Sequence, residues 1–250
     1  MLKSRIIPCL DVRGGRIVKG VRFQNLRDAG DPAEAAAAYE AQGADEITLL
    51  DVSATPEGRG AMLETVEAVR AAIGIPLTVG GGVRAADDAL RLLEAGADKV
   101  GVNSAAVARP DLLDEMAERF GRQCVVLAID AARSDGGWAV VVHSGQERVD
   151  LCALEWAAEG ARRGAGEILL TSWDRDGTGD GYDLELLRAV RTRVDIPIIA
   201  SGGAAGPEHL AEALEAGADA ALAASIFHDG LFTVDDVKRR LQARGLEMRL

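Results

Sequence analysis

Aromatic side chains make up 4 % of the sequence, and cysteine and histidine occur three times each in 250 residues. Cys9, Cys124 and Cys152 are widely spaced and form no CxxC pair. Such a set reads as reduced thiols packed as small apolar groups, and excludes a disulfide-stapled fold. The scattered histidines offer no zinc-ligand spacing, so neither metal nor cofactor is expected. Basic charge is in deficit, with 28 Lys+Arg against 40 Asp+Glu and a net charge of −12 at pH 7. That balance argues against a general nucleic-acid binder, which needs a basic footprint. No uncharged apolar run reaches the roughly 18 residues of a membrane helix. The opening MLKSRIIPCLDVRGG is charged where a signal peptide needs an apolar stretch, so a cytoplasmic location is expected. There is no GxSxG elbow, no GxxxxGK[ST] loop and no HExxH helix.

What is present is alternation. Short apolar, β-branched runs predict eight strands: Arg5–Leu10, Glu46–Asp51, Pro76–Gly80, Lys99–Val102, Cys124–Asp130, Glu167–Thr171, Pro197–Ser201 and Ala220–Ala223. Amphipathic stretches between them predict eight helices: Pro32–Gln42, Met62–Ala72, Ala86–Glu94, Pro110–Arg119, Cys152–Arg163, Leu184–Arg193, Pro207–Glu215 and Val234–Ala243. Asp31 before Pro32 is a good helix N-cap with proline in the first turn. Near-continuous apolar strands fit a sheet buried on both faces. Strict βα alternation implies parallel strands and right-handed crossovers. Eight units in this length predict one α/β domain over 1–250, a closed (β/α)₈ TIM barrel. An open doubly wound sheet is the rival.

The chain also repeats itself. Val79-Gly80-Gly81-Gly82-Val83 matches Ala200-Ser201-Gly202-Gly203-Ala204 at a shift of 121. At the same shift Glu94-Ala95-Gly96-Ala97-Asp98 matches Glu215-Ala216-Gly217-Ala218-Asp219, and Gly43-Ala44-Asp45-Glu46-Ile47 matches Gly164-Ala165-Gly166-Glu167-Ile168. Leu10-Asp11 matches Ile129-Asp130 at a shift of 119. Two half-barrel repeats, about 1–121 and 122–250, are expected.

Working groups in such barrels sit at the C-terminal strand ends. Asp11 ends the first strand and Asp130 the fifth, on opposite sides of an eight-stranded ring. Two facing carboxylates can divide acid and base work if their surroundings separate their pKa values. Asp51 and Asp176 are placed to bind ligand hydroxyls or to anchor loops. Gly80-Gly81-Gly82 and Ser201-Gly202-Gly203 each follow a strand and precede a helix, so backbone N–H groups can approach an anion. Asn103-Ser104 and Ala224-Ser225 add donors beside them. The doubling predicts two phosphate cradles and a substrate with a phosphate at each end. Val12–Arg27 is a long first loop with Arg13, Arg16, Lys19 and Arg22, placed as a lid whose Lys19 can reach an anion. At the opposite face Arg5, Glu46, Lys99 and Glu167 begin strands, and can form a charged floor, either plug or gate. Gly137–Val142 reads as an extra hairpin arm beside Asp130. His209 and His228 read as surface or packing residues.

Ile6-Ile7-Pro8-Cys9-Leu10-Asp11-Val12 and Gly15-Arg16-Ile17-Val18-Lys19-Gly20 resemble the cyclase subunit of imidazole glycerol phosphate synthase. So do Ala128-Ile129-Asp130-Ala131, Leu170 to Thr178 and the two glycine segments, in one register from about Arg5 onward. The resemblance implies a barrel enzyme of histidine biosynthesis, a lyase. Such an enzyme converts phosphoribulosyl-formimino-aminoimidazole carboxamide ribonucleotide, with ammonia, into imidazole glycerol phosphate and aminoimidazole carboxamide ribonucleotide. Carried over by position, Asp11 and Asp130 are the acid/base pair and Lys19 the loop lysine. Gly82, Asn103 and Ser104 fall at one phosphate; Asp176, Gly177, Gly203, Ala224 and Ser225 fall at the other. Arg5, Glu46, Lys99 and Glu167 match an ammonia gate. The resemblance further implies a heterodimer, with a glutaminase subunit docked on the N-terminal barrel face. Two positions depart from it: Gly179, where relatives often carry a basic residue, and Trp173, which is bulkier than expected.

The nearest alternative is the sister isomerase of the pathway, which needs no ammonia. The Pro8-to-Val12 and Gly15-to-Gly20 segments and the charged floor favour the cyclase. A non-catalytic phosphate-binding activator of a glutaminase is the alternative from another class.

Overall fold

The computed structural model describes residues 3–21, 24–54 and 62–249, and of residues 19–29 the side chains lie outside the description. Eight strands close a parallel ring: β1 (Arg5–Arg13), β4 (Ile47–Asp51), β5 (Leu77–Gly80), β6 (Lys99–Val102), β7 (Val125–Ser134), β10 (Glu167–Ser172), β11 (Ile198–Ser201) and β12 (Ala220–Ala223). The β7–β10 pairing, Val126 opposite Glu167 through Ala131 opposite Ser172, carries the ring past its outlying strands. Pairing of Arg5 with Ala220 joins the last strand to the first. This is the closed (β/α)₈ barrel, not the open sheet.

Helices alternate with the strands. They are α1 (Pro32–Ala41), α2 (Leu63–Ala72), α3 (Ala86–Glu94), α4 (Ser104–Ala108), α5 (Asp111–Phe120), α6 (Ala153–Arg162), α7 (Leu184–Arg191), α8 (Pro207–Glu215), α9 (Ser225–His228) and α10 (Val234–Ala243). Asp31 caps α1 as expected, its side chain accepting from the N–H groups of Ala33 and Glu34. Among the described residues no helix is long and apolar enough to cross a membrane.

Side chains alternate in and out along each strand. Ile6 and Leu10 of β1 face the helices, in the outer core, whereas Ile7 and Cys9 fill the barrel interior with Val126, Leu169, Ile199 and Leu222. That parity turns Asp11 inward above Ile7 and Cys9, and Asp130 inward above Val126 and Ala128. It also turns Arg5 inward at the other end of β1. Taken around the ring, the inward faces therefore give a charged floor, an apolar middle and a polar mouth.

The repeat has a structural counterpart. Arg70 reaches Asp98 at 3.0 Å and the carbonyl oxygens of Ile73 and Ile75, while Asp98 accepts from Leu77 N at 2.8 Å. At the same shift of 121, Arg191 reaches Asp219 at 3.0 Å and the carbonyl oxygens of Val194 and Ile196, and Asp219 accepts from Ile198 N at 2.9 Å. Each bracket ties one helix end to the following two strands.

Three expectations are corrected. The first loop is not irregular: β2 (Arg16–Val21) and β3 (Gln24–Gly30) form an antiparallel hairpin whose first strand pairs with the end of β1. An excursion that prolongs a strand satisfies its backbone groups in a ladder. The arm beside Asp130 has a third strand, β8 (Gly137–Val142) pairing with β9 (Glu147–Cys152). Cys152 is consequently exposed at a strand end, whereas Cys9 is buried as expected. All three thiols are free.

Candidate active site

A cavity of about 610 Å³ opens at the C-terminal strand ends. Asp11 and Asp130 both line it, from β1 and β7. Each is half-buried in the cavity wall. Burial pushes the Asp11 carboxyl up to about 7; the charge of Asp176 adds to this, the Cys9 thiol at 3.5 Å works against it, and Asp130 adds a smaller push. Burial likewise brings Asp130 up to about 7, again reinforced by Asp176 and opposed by hydrogen bonds from Thr171 and Asn103. Two carboxyls tuned close to neutrality can both give and take protons at physiological pH.

The glycine turns flank this pair. Gly82, Asn103 and Ser104 line one side, and Gly177, Gly203, Ala224 and Ser225 the other, with Asp176. Gly81 (φ +101°) and Gly202 (φ +90°) adopt left-handed backbone. A Cβ on Gly81 would collide with the Asp51 carbonyl, and one on Gly202 would press on the Ser172 carbonyl. Only glycine lets both turns tuck under the neighbouring strand end. Asn103 does more than line a cradle: its Nδ2 donates to Asp130 Oδ2 at 3.0 Å and to the Val141 carbonyl at 3.3 Å. Asp51 is an anchor, its Oδ1 accepting from Ser53 N, Ser53 Oγ and Ala54 N at 3.2, 3.2 and 3.0 Å. Lys19 lies on β2, and its side chain is outside the described residues.

Sequence reasoning missed two supporting contacts. Thr171, inward-facing at the end of β10, supports Asp130. His228 is no bystander: its Nε2 lies 2.9 Å from the Cys9 carbonyl and its Nδ1 2.6 Å from the Tyr39 hydroxyl. It ties α9, beside the second glycine turn, to the strand that carries Asp11. Strand parity could have found Thr171; nothing local in the sequence pairs His228 with residues so distant in the chain.

At the barrel floor the four expected charges meet. Glu46 accepts from Arg5 at 3.0 Å and Lys99 at 2.9 Å; Glu167 accepts from Lys99 at 2.7 Å and from Arg5. Burial opposes the charge on Glu167, yet Arg5 and Lys99 outweigh it and hold the carboxyl below its ordinary range. Thr78 donates to Glu46 at 2.6 Å and also lines the cavity, so it touches both floor and site. Among the described residues no cluster of three or more His, Cys, Asp or Glu could hold a metal ion.

Fold and site together define a (β/α)₈ barrel with two carboxyls raised toward neutrality in one cavity between two glycine turns. A profile of the histidine biosynthesis protein family matches residues 5–233. Proteins named imidazole glycerol phosphate synthase subunit HisF match over nearly their whole length. The one from Exiguobacterium sibiricum is 56 % identical over 249 residues, covering 100 % of both chains. Those from Mycobacteroides abscessus and Nocardia farcinica are 54 % and 58 % identical, each covering 98 % of both chains. The chain belongs to this family, the cyclase subunits of imidazole glycerol phosphate synthase, which are lyases. The isomerase alternative is not favoured.

Proposed function

We propose that the chain closes an imidazole ring, using ammonia delivered through its own barrel and a substrate held by a phosphate at each end. The observation that carries this reading is the pair of carboxyls, both raised to about 7, lining one cavity between two glycine turns. Gly82, Asn103 and Ser104 would hold one phosphate; Gly177, Gly203, Ala224 and Ser225, with Lys19 from the β2–β3 hairpin, the other. Near neutrality each carboxyl is protonated part of the time, so one member can act as acid while the other acts as base. Ammonia adds to the substrate ketone and water leaves to give an imine. Asp11, as general base, takes a proton as the ammonia-derived nitrogen bonds to the formimino carbon and closes the ring, and Asp130, as general acid, protonates the aminoimidazole nitrogen as its bond to that carbon breaks. The nearby charge of Asp176 raises both members toward neutrality; it stands at the edge of the second cradle, where a carboxylate fits a hydroxyl better than a phosphate.

The relatives are named as subunits, which supports a working complex with a partner subunit. We assign that partner as a glutaminase docked on the N-terminal face, because the floor ring lies there and Thr78 links it to the cavity. Arg5, Glu46, Lys99 and Glu167 would be the gate through which ammonia passes. Two assays test the reading. The isolated chain, given ammonium salt and the bisphosphorylated ribonucleotide, should form imidazole product; no product would overturn it. In complex with the glutaminase, Lys99→Met should lower glutamine-driven turnover several-fold more than ammonium-driven turnover. An equal loss with both nitrogen sources would remove the gate from the account.

A further inference from the structure

From the geometry we infer that Trp173 is a positioning residue that sets the affinity of one end of the substrate site, by seating a turn that spans the first cradle. The inference rests on the assignment of Gly82, Asn103 and Ser104 to one phosphate. The turn is His143-Ser144-Gly145, between β8 and β9. All three residues are left-handed, with φ of 53°, 54° and 83°. Two of them are not glycine, and such backbone persists only where its surroundings hold it.

Three contacts do so. His143 N donates to Ser104 Oγ at 2.9 Å, at the first cradle. The Ser144 hydroxyl donates to the Val52 carbonyl at 3.2 Å, just past the end of β4. The turn thus reaches from the β7 arm past the end of β6 as far as β4. On its other side the Trp173 indole lies against Gly145 so closely that a Cβ there would run into the ring. His143 and Ser144 both line the cavity, so the turn is part of the site wall and Trp173 is its buttress.

Trp173 is itself fixed. Its N–H donates to the Ala131 carbonyl at 2.9 Å, and the next residue, Asp174, accepts from Arg133 N at 2.6 Å. Trp138 on β8 donates from Nε1 to Asp183 at 3.0 Å, ahead of α7. The arm and the segment after β10 are therefore knitted into one body, with the indole at their contact. A smaller side chain at 173 would leave the face of Gly145 open. Ser104 Oγ and the backbone of the turn would then lose their fixed position at the cradle, while Asp11 and Asp130 keep theirs.

The test uses the full chain with Trp173→Ala and Trp173→Phe. Backbone amides of residues 142–147 should exchange hydrogen about tenfold faster in the alanine variant and near the parent rate in the phenylalanine variant. KM for the bisphosphorylated ribonucleotide should rise about tenfold, with kcat within about threefold. The two products each carry one phosphate. Inhibition by one of them should weaken about tenfold and by the other less than twofold. Unchanged exchange at the turn, or equal weakening for both products, would overturn the inference. If the alanine variant does not fold, Trp173→Ile gives the same comparison. Should the parent chain form no imidazole product, the proposed function fails, and the exchange comparison alone still decides whether Trp173 seats the turn.

Discussion

Asp130→Asn and Asp11→Asn will each lose turnover by about 10²–10⁴-fold while keeping substrate affinity, and both variants will be more stable than the parent above neutral pH. The kinetic half follows from the site. An amide keeps the shape of the carboxyl but carries no transferable proton, and the glycine turns that would hold the phosphates are untouched. The stability half follows from linkage. Each carboxyl is raised in the folded chain from 3.8 to about 7, chiefly by burial and by Asp176. Between those pH values the folded state binds more protons than the unfolded state, so stability falls as pH rises. At pH 8 each ionised aspartate works against the fold by on the order of 1–3 kcal/mol, which the neutral amide removes. Melting curves at pH 8 and pH 5 check this: the gain should be present at pH 8 and shrink at pH 5. The parent pH–rate profile should be bell-shaped around 7, with one limb lost in each variant. A variant that keeps full turnover, or one that is less stable than the parent at pH 8, contradicts the assignment.

Lys238→Met will destabilise the chain by about 3–5 kcal/mol, roughly 10 °C in melting temperature for a chain of this size. Lys238 on α10 is 2 % exposed. Its ammonium lies 2.8 Å from Asp45 and donates to the Arg249 carbonyl at 2.6 Å. Asp45 in turn accepts from Ile6 N at 2.8 Å. The last helix, the chain end and the first strand are fastened at one buried point beside the β12–β1 seam. Removing the lysine strands the Asp45 carboxylate without its counter-charge, and the unpaired buried charge dominates the loss. The double variant Lys238→Met with Asp45→Asn should recover part of it, because no bare charge remains. Thermal denaturation followed by circular dichroism measures both; a single-variant loss below about 1 kcal/mol would show that the pair is dispensable.

The barrel was legible because its strands are short, apolar and bounded by turn residues, and the helices between them are amphipathic. Lys99–Val102, Ala86–Glu94, Pro207–Glu215 and Val234–Ala243 have the boundaries expected from sequence. Other boundaries moved by a few residues. β1 runs to Arg13 and β7 to Ser134 because each continues into an antiparallel arm, and the partner strand is set by tertiary pairing that a local pattern does not encode. The hairpin of β2 and β3 reads as a loop in the sequence because charged residues interrupt its alternation. The short helices α4 and α9, of five and four residues, are too brief to show a period in the sequence. In the site, strand ends and glycine turns point to the cavity from the sequence alone. Its supporting contacts did not, since Thr171 on Asp130 and His228 on the Cys9 carbonyl depend on how distant segments meet. Trp173 stood out only as too large; its contact with Gly145 gives that size a place.

The shared inward face of each strand has one more consequence. Arg5 and Asp11 ride the same side of β1, as Lys99 and Asn103 continue one line along β6. A single residue inserted inside β1 would reverse the direction of every side chain beyond it. With the floor charges in place, the acid would swing out among the helices and apolar groups would turn in to replace it. Connecting segments can lengthen without touching this phase, so change in length is tolerated between the strands and forbidden within them.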